Sequence, residues 1–259
     1  MIDLIRAERL KLFRSSGYKI LLIIGALIGV AVGVAFIILA NTNLELGGFG
    51  DGVGTDEMAL TGHLVYLNSL PQSQIAVILV SIFAAVFVAN EFGARTLALG
   101  LKNGCKRKNI LLSKLIVFVM GIIPIVFVIP LMSSVVMSIG VGFGESFNAE
   151  TITSLITNTG LYFMGHIAYG VVVFMLAVLT KNAIGTIGGG IGLFLALEFF
   201  EQIASVLEPL ESLTDFVFVL QLRELPNITS MTTFFIGCAV FLAGAIALSL
   251  NNFQKTDLK

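Results

Sequence analysis

Residues Ile20–Ala40 read ILLIIGALIGVAVGVAFIILA, a run with no charged side chain and no side-chain amide. An α-helix rises about 1.5 Å per residue, so about 20 apolar residues cover the roughly 30 Å hydrocarbon core of a bilayer. This stretch is long enough, and its apolar residues go all the way round the helix instead of forming one stripe. A helix of that kind is covered by lipid or by other helices, not by water. The rest of the chain agrees: 57% of its 259 residues are hydrophobic and 12% are charged, about half the charge of an ordinary soluble domain. The fold expected is therefore an all-α integral membrane protein.

Further charge-free stretches bring the count to six spans, at about 18–40, 73–90, 112–139, 156–180, 182–200 and 229–250, in a single transmembrane domain 1–259. The first is read as a retained span. Its apolar run exceeds the roughly 7 to 15 residues of a signal-peptide core, and no small-x-small cleavage site follows it convincingly. Cys105 lies in a basic segment and Cys238 within an apolar run, so neither a disulfide nor a metal-ligand spacing is expected.

Lys and Arg set the orientation. Arg6, Arg9, Lys11, Arg14 and Lys19 precede span 1, and Arg95, Lys102, Lys106, Arg107, Lys108 and Lys114 lie between spans 2 and 3. With Lys181, Lys255 and Lys259 they make fourteen of the fifteen basic residues on one side, which the positive-inside rule makes cytoplasmic. Only Arg223 lies opposite, where Glu45, Asp51, Asp56, Glu57, Glu145, Glu150, Glu198 and Glu201 collect. Six spans with both termini inside satisfy every loop.

Residues 1–17 mix Ile2, Ile5, Leu10, Leu12 and Phe13 with basic residues at near-helical spacing, as expected of a helix lying in the interface, although Arg6 and Arg9 fall within its apolar arc. Gly25, Gly29 and Gly33 in span 1, and Gly185 and Gly189 in the glycine-rich span 5, repeat every four residues and predict close helix or subunit packing. Pro124 and Pro130 should bend span 3. His166 reads as a neutral histidine bonded to a neighbouring helix, ahead of a proton-relay role. Leu60, Leu64, Leu67 and Leu70 predict a short helix on the outer surface, and the carboxylate-rich segment after span 5 predicts short extracellular helices before span 6.

The most informative loop, NEFGARTLALGLKNGCKRKNILLSKLI, spans 90–116. Leu97, Leu101, Leu111, Leu112 and Leu115 give it a helical apolar side, and Asn103-Gly104 breaks it into two pieces. A basic loop of this form suits anionic headgroups or a soluble partner. It resembles the loop of the ABC-2 type transporter permeases, which runs roughly E-[FY]-x-x-G-T-[IL]-R-x-x-L-x-x-G-x-S-R followed by L-x-x-K or L-S-K/N. Glu91, Phe92, Thr96, Leu97, Leu101, Gly104, Arg107, Leu112, Ser113 and Lys114 match in register, while Arg95, Ala98 and Lys106 depart from the pattern.

The resemblance implies a bacterial cell-membrane exporter built from a pair of permeases and a pair of separate cytoplasmic ABC ATPases. Segment 91–111 would hold the coupling helix that docks on an ATPase, with Glu91, Phe92, Thr96, Leu97, Leu101, Asn103, Gly104 and Arg107 as contacts, beside the N-terminal interfacial helix. The chain has no Walker A, Walker B or LSGGQ-like motif, so it is expected to be no enzyme and to hold no cofactor or metal. ATP and Mg would sit on the partner. Other expected partners are membrane lipids and a second permease, identical or different; nucleic acid is not expected. Amphipathic or antimicrobial peptides are the expected cargo, with lipid-like or hydrophobic drug substrates as the alternative and a stand-alone secondary transporter as the competing class.

Overall fold

The structure is a computed structural model that describes residues 1–42, 61–71, 74–93, 106–145, 148–204, 206–207, 214, 217–222, 225 and 231–255. The described residues are helical and contain no strand. In chain order the helices are α1 (Ile2–Arg14), α2 (Ser16–Thr42), α3 (Gly62–Ser69) and α4 (Gln74–Ala84). A π-helical turn (Ala85–Ala89) carries α4 into α5 (Asn90–Gly93). Then come α6 (Arg107–Gly140), α7 (Ala149–Thr180), α8 (Ala183–Ala204), α9 (Phe218–Gln221) and α10 (Met231–Lys255). Among the described residues six stretches are long and apolar enough to cross a membrane: α2, the α4–π–α5 run, α6, α7, α8 and α10.

Two spans are longer than their apolar runs. At 34 and 32 residues, α6 and α7 reach roughly 50 Å, well beyond the hydrocarbon core. The extra turns are polar, as at Arg107 to Lys114, and so do not register as apolar length. α8 likewise runs past the expected end at 200 to Ala204 and carries both Glu198 and Glu201 within the helix. Between α7 and α8 only Lys181 and Asn182 intervene. Lys181 takes the left-handed conformation that ends α7, with its N–H on the Ala177 carbonyl, and the Asn182 side chain accepts from the Ile184 N–H.

α6 is the mast of the bundle, touching α1, α2, α3, α4, α7 and α10. Its longest interface is with α2, and the glycine stripe explains it. A Cβ on Gly25 would lie 2.6 Å from Val128 Cγ1, one on Gly29 would lie 2.7 Å from the Ile129 carbonyl oxygen, and one on Gly33 would lie 2.8 Å from the Ser133 carbonyl oxygen. Those separations are impossible for real carbons, so only glycine lets the two backbones approach. The span 1 stripe thus packs within the chain.

Pro130 deprives the Val126 carbonyl of its usual donor, and the Tyr162 hydroxyl of α7 supplies one at 3.1 Å. α6 continues as one helix through both prolines. His166 makes a hydrogen bond within its own helix. Its Nδ1 donates to the Tyr162 carbonyl at 2.9 Å, one turn back on its own helix, and its ring lies 4.2 Å from that of Tyr162.

α3 also departs from the expected surface helix. His63, Val65, Tyr66, Leu67 and Ser69 are all buried, and α3 packs on α6. The Gly62 and His63 N–H groups donate to the Gly142 and Phe143 carbonyls, Ser134 donates to the Gly62 carbonyl, and the Tyr66 hydroxyl meets Thr159 on α7. Leucine spacing marks only one face; on the others Tyr66 and Ser69 are buried with their hydroxyls bonded to Thr159 and to the Tyr66 carbonyl.

Gly29→Ala should destabilise the protein by about 1–3 kcal/mol, the usual cost of overpacking. Gly188→Ala, whose added carbon meets nothing within 4 Å, should not destabilise and should gain up to about 1 kcal/mol from the better helix former. Thermal unfolding in detergent micelles checks both.

Candidate functional site: a charged ring at the feet of the basic loop

Lys114 follows Ile110, Leu111, Leu112 and Ser113 and precedes a long apolar run, so α6 carries its ammonium inward at the bundle's basic end. Only 1% of its side chain is exposed. An ammonium in that position must be paired, because an isolated buried charge costs several kcal/mol. Two carboxylates meet it: Glu8 of α1 at 2.8 Å and Glu91 of α5 at 2.6 Å. The other oxygen of each carboxylate contacts Lys11, at 3.3 Å from Glu8 and 2.7 Å from Glu91. The four side chains form a closed ring of alternating sign with no net charge. It joins the N-terminal helix, the end of the second span and the start of the third.

The π turn completes the setting. Lys114 Nζ stands 4.5 Å from the centroid of the Phe87 ring and donates to the Phe87 carbonyl at 3.5 Å. Phe87 lies within the π segment, a geometry that displaces backbone groups from the regular ladder and recurs at functional sites. Towards the middle of the bundle, Phe87 stacks on Phe83 and Phe83 on Phe118, with centroids 5.5 and 4.9 Å apart, and Tyr18 and Phe174 extend the cluster. Such pairs contribute about 0.5–1.5 kcal/mol each beyond burial and give the ring a rigid floor.

α10 holds the other side of the loop's feet. Phe253, 1% exposed, packs edge-on against Phe92 with centroids 6.1 Å apart. Arg107 Nη1 donates to the Gln254 carbonyl at 3.0 Å, capping the last turn of α10. Of the expected coupling contacts, Glu91, Phe92 and Arg107 are thus brought together at the two ends of the loop. Thr96, Leu97, Leu101, Asn103 and Gly104 lie outside the described residues. Of the span 5 glycines, a Cβ on Gly185 would meet Thr180 of the preceding turn at 3.2 Å and one on Gly189 would meet Leu176 at 3.4 Å. The closest approach on that helix is instead at Gly190, against Ser81 of α4. Among the described residues no group of His, Cys, Asp or Glu is placed to hold a metal ion.

Glu8, Lys11 and Phe253 were not singled out from sequence. A usable signal existed in Lys114, a lysine bordered by leucine on the apolar side of a span, which demands an acidic partner. Nothing local says that the partner lies 106 residues earlier.

Burial is the largest single influence on the Glu8 carboxyl and pushes its pKa up, but the attraction and hydrogen bonds of Lys114 and Lys11 together outweigh it and hold the pKa below the ordinary 4.5. A lowered carboxylate pKa stabilises the fold above the unfolded value, and that contribution is lost as pH falls through the folded value. Lys11 is opposed by burial first, yet its bonds and attraction to Glu91 and Glu8 raise it above 10.5, so its contribution is lost only as pH rises through that higher value. Glu8→Gln should therefore be less stable than the parent at neutral pH, with the gap closing as pH falls below about 4.5. Melting temperatures of both proteins across pH 3 to 8 measure this; a constant gap would contradict the assignment.

None of the curated proteins matches the chain. A family model described as a protein of unknown function (DUF2705) matches residues 22–259, which takes in Glu91 and Lys114 but begins after α1 with its Glu8 and Lys11. The chain belongs to the DUF2705 family.

Proposed function

We propose that this chain is the permease half of a bacterial ABC-type exporter, with both termini cytoplasmic and its power supplied by separate cytoplasmic ATPases. The observation that carries the reading is the stretch from Glu91 to Lys114. Its residues match the ABC-2 type loop in register, and the described ends of that loop are built into the membrane bundle through the charged ring, Phe253 and the Gln254 carbonyl. A loop that only crossed between two spans has no need of feet fastened on both sides. A loop that must carry a push from a soluble motor into the spans does, since force passes only through rigid contacts.

On this reading the loop between spans 2 and 3 seats on the ATPase, α1 lies in the cytoplasmic interface, and Glu91 and Arg107 fasten the ends of the loop to the bundle. The cargo proposed is an amphipathic peptide. It suits spans whose acidic or basic side chains at mid-depth are limited to His166 better than an ion does, because a hydrated ion needs charged or carbonyl-lined rings along its path. A second permease, the same or different, completes the pathway.

The affinity-tagged chain isolated from its native membrane should bring an ATPase with it, and Gly104→Val should reduce the recovered ATPase about ten-fold, the loss expected from one contact of about 1.4 kcal/mol, without altering the melting temperature. Transport by the reconstituted chain with no ATPase present would instead place it among secondary transporters. ATPase stimulation by peptide, lipid and drug panels then identifies the cargo, and a response to lipid alone would reject the peptide assignment.

A further inference from the structure

The ring described above uses only one side of α1. Ile5, Glu8 and Leu12 face the bundle, and Glu8 and Leu12 fix its depth: Glu8 bonds Lys114, and Leu12 lies against Gly121 two turns deeper on α6. The apolar run of α6 begins at Leu115, between those two contacts. α1 therefore lies where hydrocarbon gives way to headgroups.

The flank turned from those contacts is largely open, with the Phe13 ring meeting Tyr18 of α2 edge-on at 6.4 Å between centroids. It carries Ile2, Leu10 and Phe13, which are 82%, 51% and 58% exposed, interleaved with exposed Arg6 and Arg9. Residues 2, 6, 9 and 13 follow the three- and four-residue spacing of one helical face. Among the described residues neither arginine is paired with a carboxylate; the ion pairs of α1 belong to Glu8 and Lys11. The arginines that spoil the apolar arc in the sequence thus sit together on the outward side.

We propose that the outward face of α1 binds the phosphates of anionic phospholipids, with Arg6 and Arg9 gripping the headgroup while Leu10 and Phe13 enter the acyl boundary. Three observations select this occupant. The depth set by Lys114 and Gly121 is that of headgroups, the guanidinium fork matches phosphate oxygens, and a soluble acidic partner would leave the bulky apolar side chains in between without a counterpart. The inference rests on the bundle spanning a bilayer and not on the exporter reading, so it stands or falls without an ATPase.

The test uses the delipidated full chain in neutral detergent, titrated with dioleoylphosphatidylglycerol, dioleoylphosphatidylcholine or inorganic phosphate and read by native mass spectrometry. Phosphatidylglycerol should bind in preference to phosphatidylcholine, and inorganic phosphate should not displace it. R6Q/R9Q should weaken phosphatidylglycerol binding by about 30-fold, taking roughly five-fold per basic side chain at an anionic surface, and leave phosphatidylcholine binding as it was. R6K/R9K, which keeps the charge but not the guanidinium fork, should retain part of the preference and exclude misfolding as the cause. Equal phosphatidylglycerol binding by R6Q/R9Q and the parent would overturn the proposal, as would displacement of the lipid by phosphate alone.

Discussion

A lysine ammonium almost wholly removed from solvent is the constraint around which the basic end of this protein is organised. Lys114 cannot be buried alone, and the two carboxylates that neutralise it come from α1 and α5, elements that share no sequence neighbourhood with it. Lys11 closes the ring so that neither carboxylate carries unmatched charge. Swapping such a cluster for apolar residues of equal volume is often neutral or stabilising, so stability alone is a poor reason for its presence. What a charged ring supplies and an apolar patch does not is a defined register: N-terminal helix, second span and third span meet in one arrangement only.

From that fixed point the rest of the bundle hangs on α6. Glycines at four-residue intervals bring α2 against it, and α7 donates a tyrosine hydroxyl to the carbonyl left open by Pro130. Backbone polar groups in hydrocarbon must be satisfied within the protein, and this pairing does so for the carbonyl freed by Pro130. α3 packs at the far end of the same 34-residue helix whose first turns meet α1 and carry Lys114. The contacts form a continuous path between the loop and the acidic end of the bundle.

Much of this architecture was legible in the sequence because hydrocarbon is an undemanding solvent to read: a span needs only length and the absence of charge. The ends were less legible, since the polar turns of α6 and α7 look like loop to a hydropathy scale. α3 was mistaken for a surface helix because leucine spacing reports one face and is silent on Tyr66 and Ser69, buried through hydrogen bonds that arise only in three dimensions. The site was legible at Glu91, Phe92 and Arg107 through a local motif. It was not legible at Glu8, Lys11 and Phe253, whose partners are set by helix packing across 80 residues or more. Arg6 and Arg9 looked like flaws in an amphipathic pattern until Glu8 and Leu12 were seen to define the inner face.

The measurement that bears most directly on this account is a double-mutant cycle between Glu8 and Lys114, with Glu8→Gln and Lys114→Met made singly and together and their unfolding free energies compared. If the ring is the register device described, the two losses are coupled by about 1–3 kcal/mol, and the double variant is far less impaired than the sum of the singles. Losses that add to within about 0.5 kcal/mol would show that the two side chains act independently, and the ring would no longer explain how α1 is fastened to the loop.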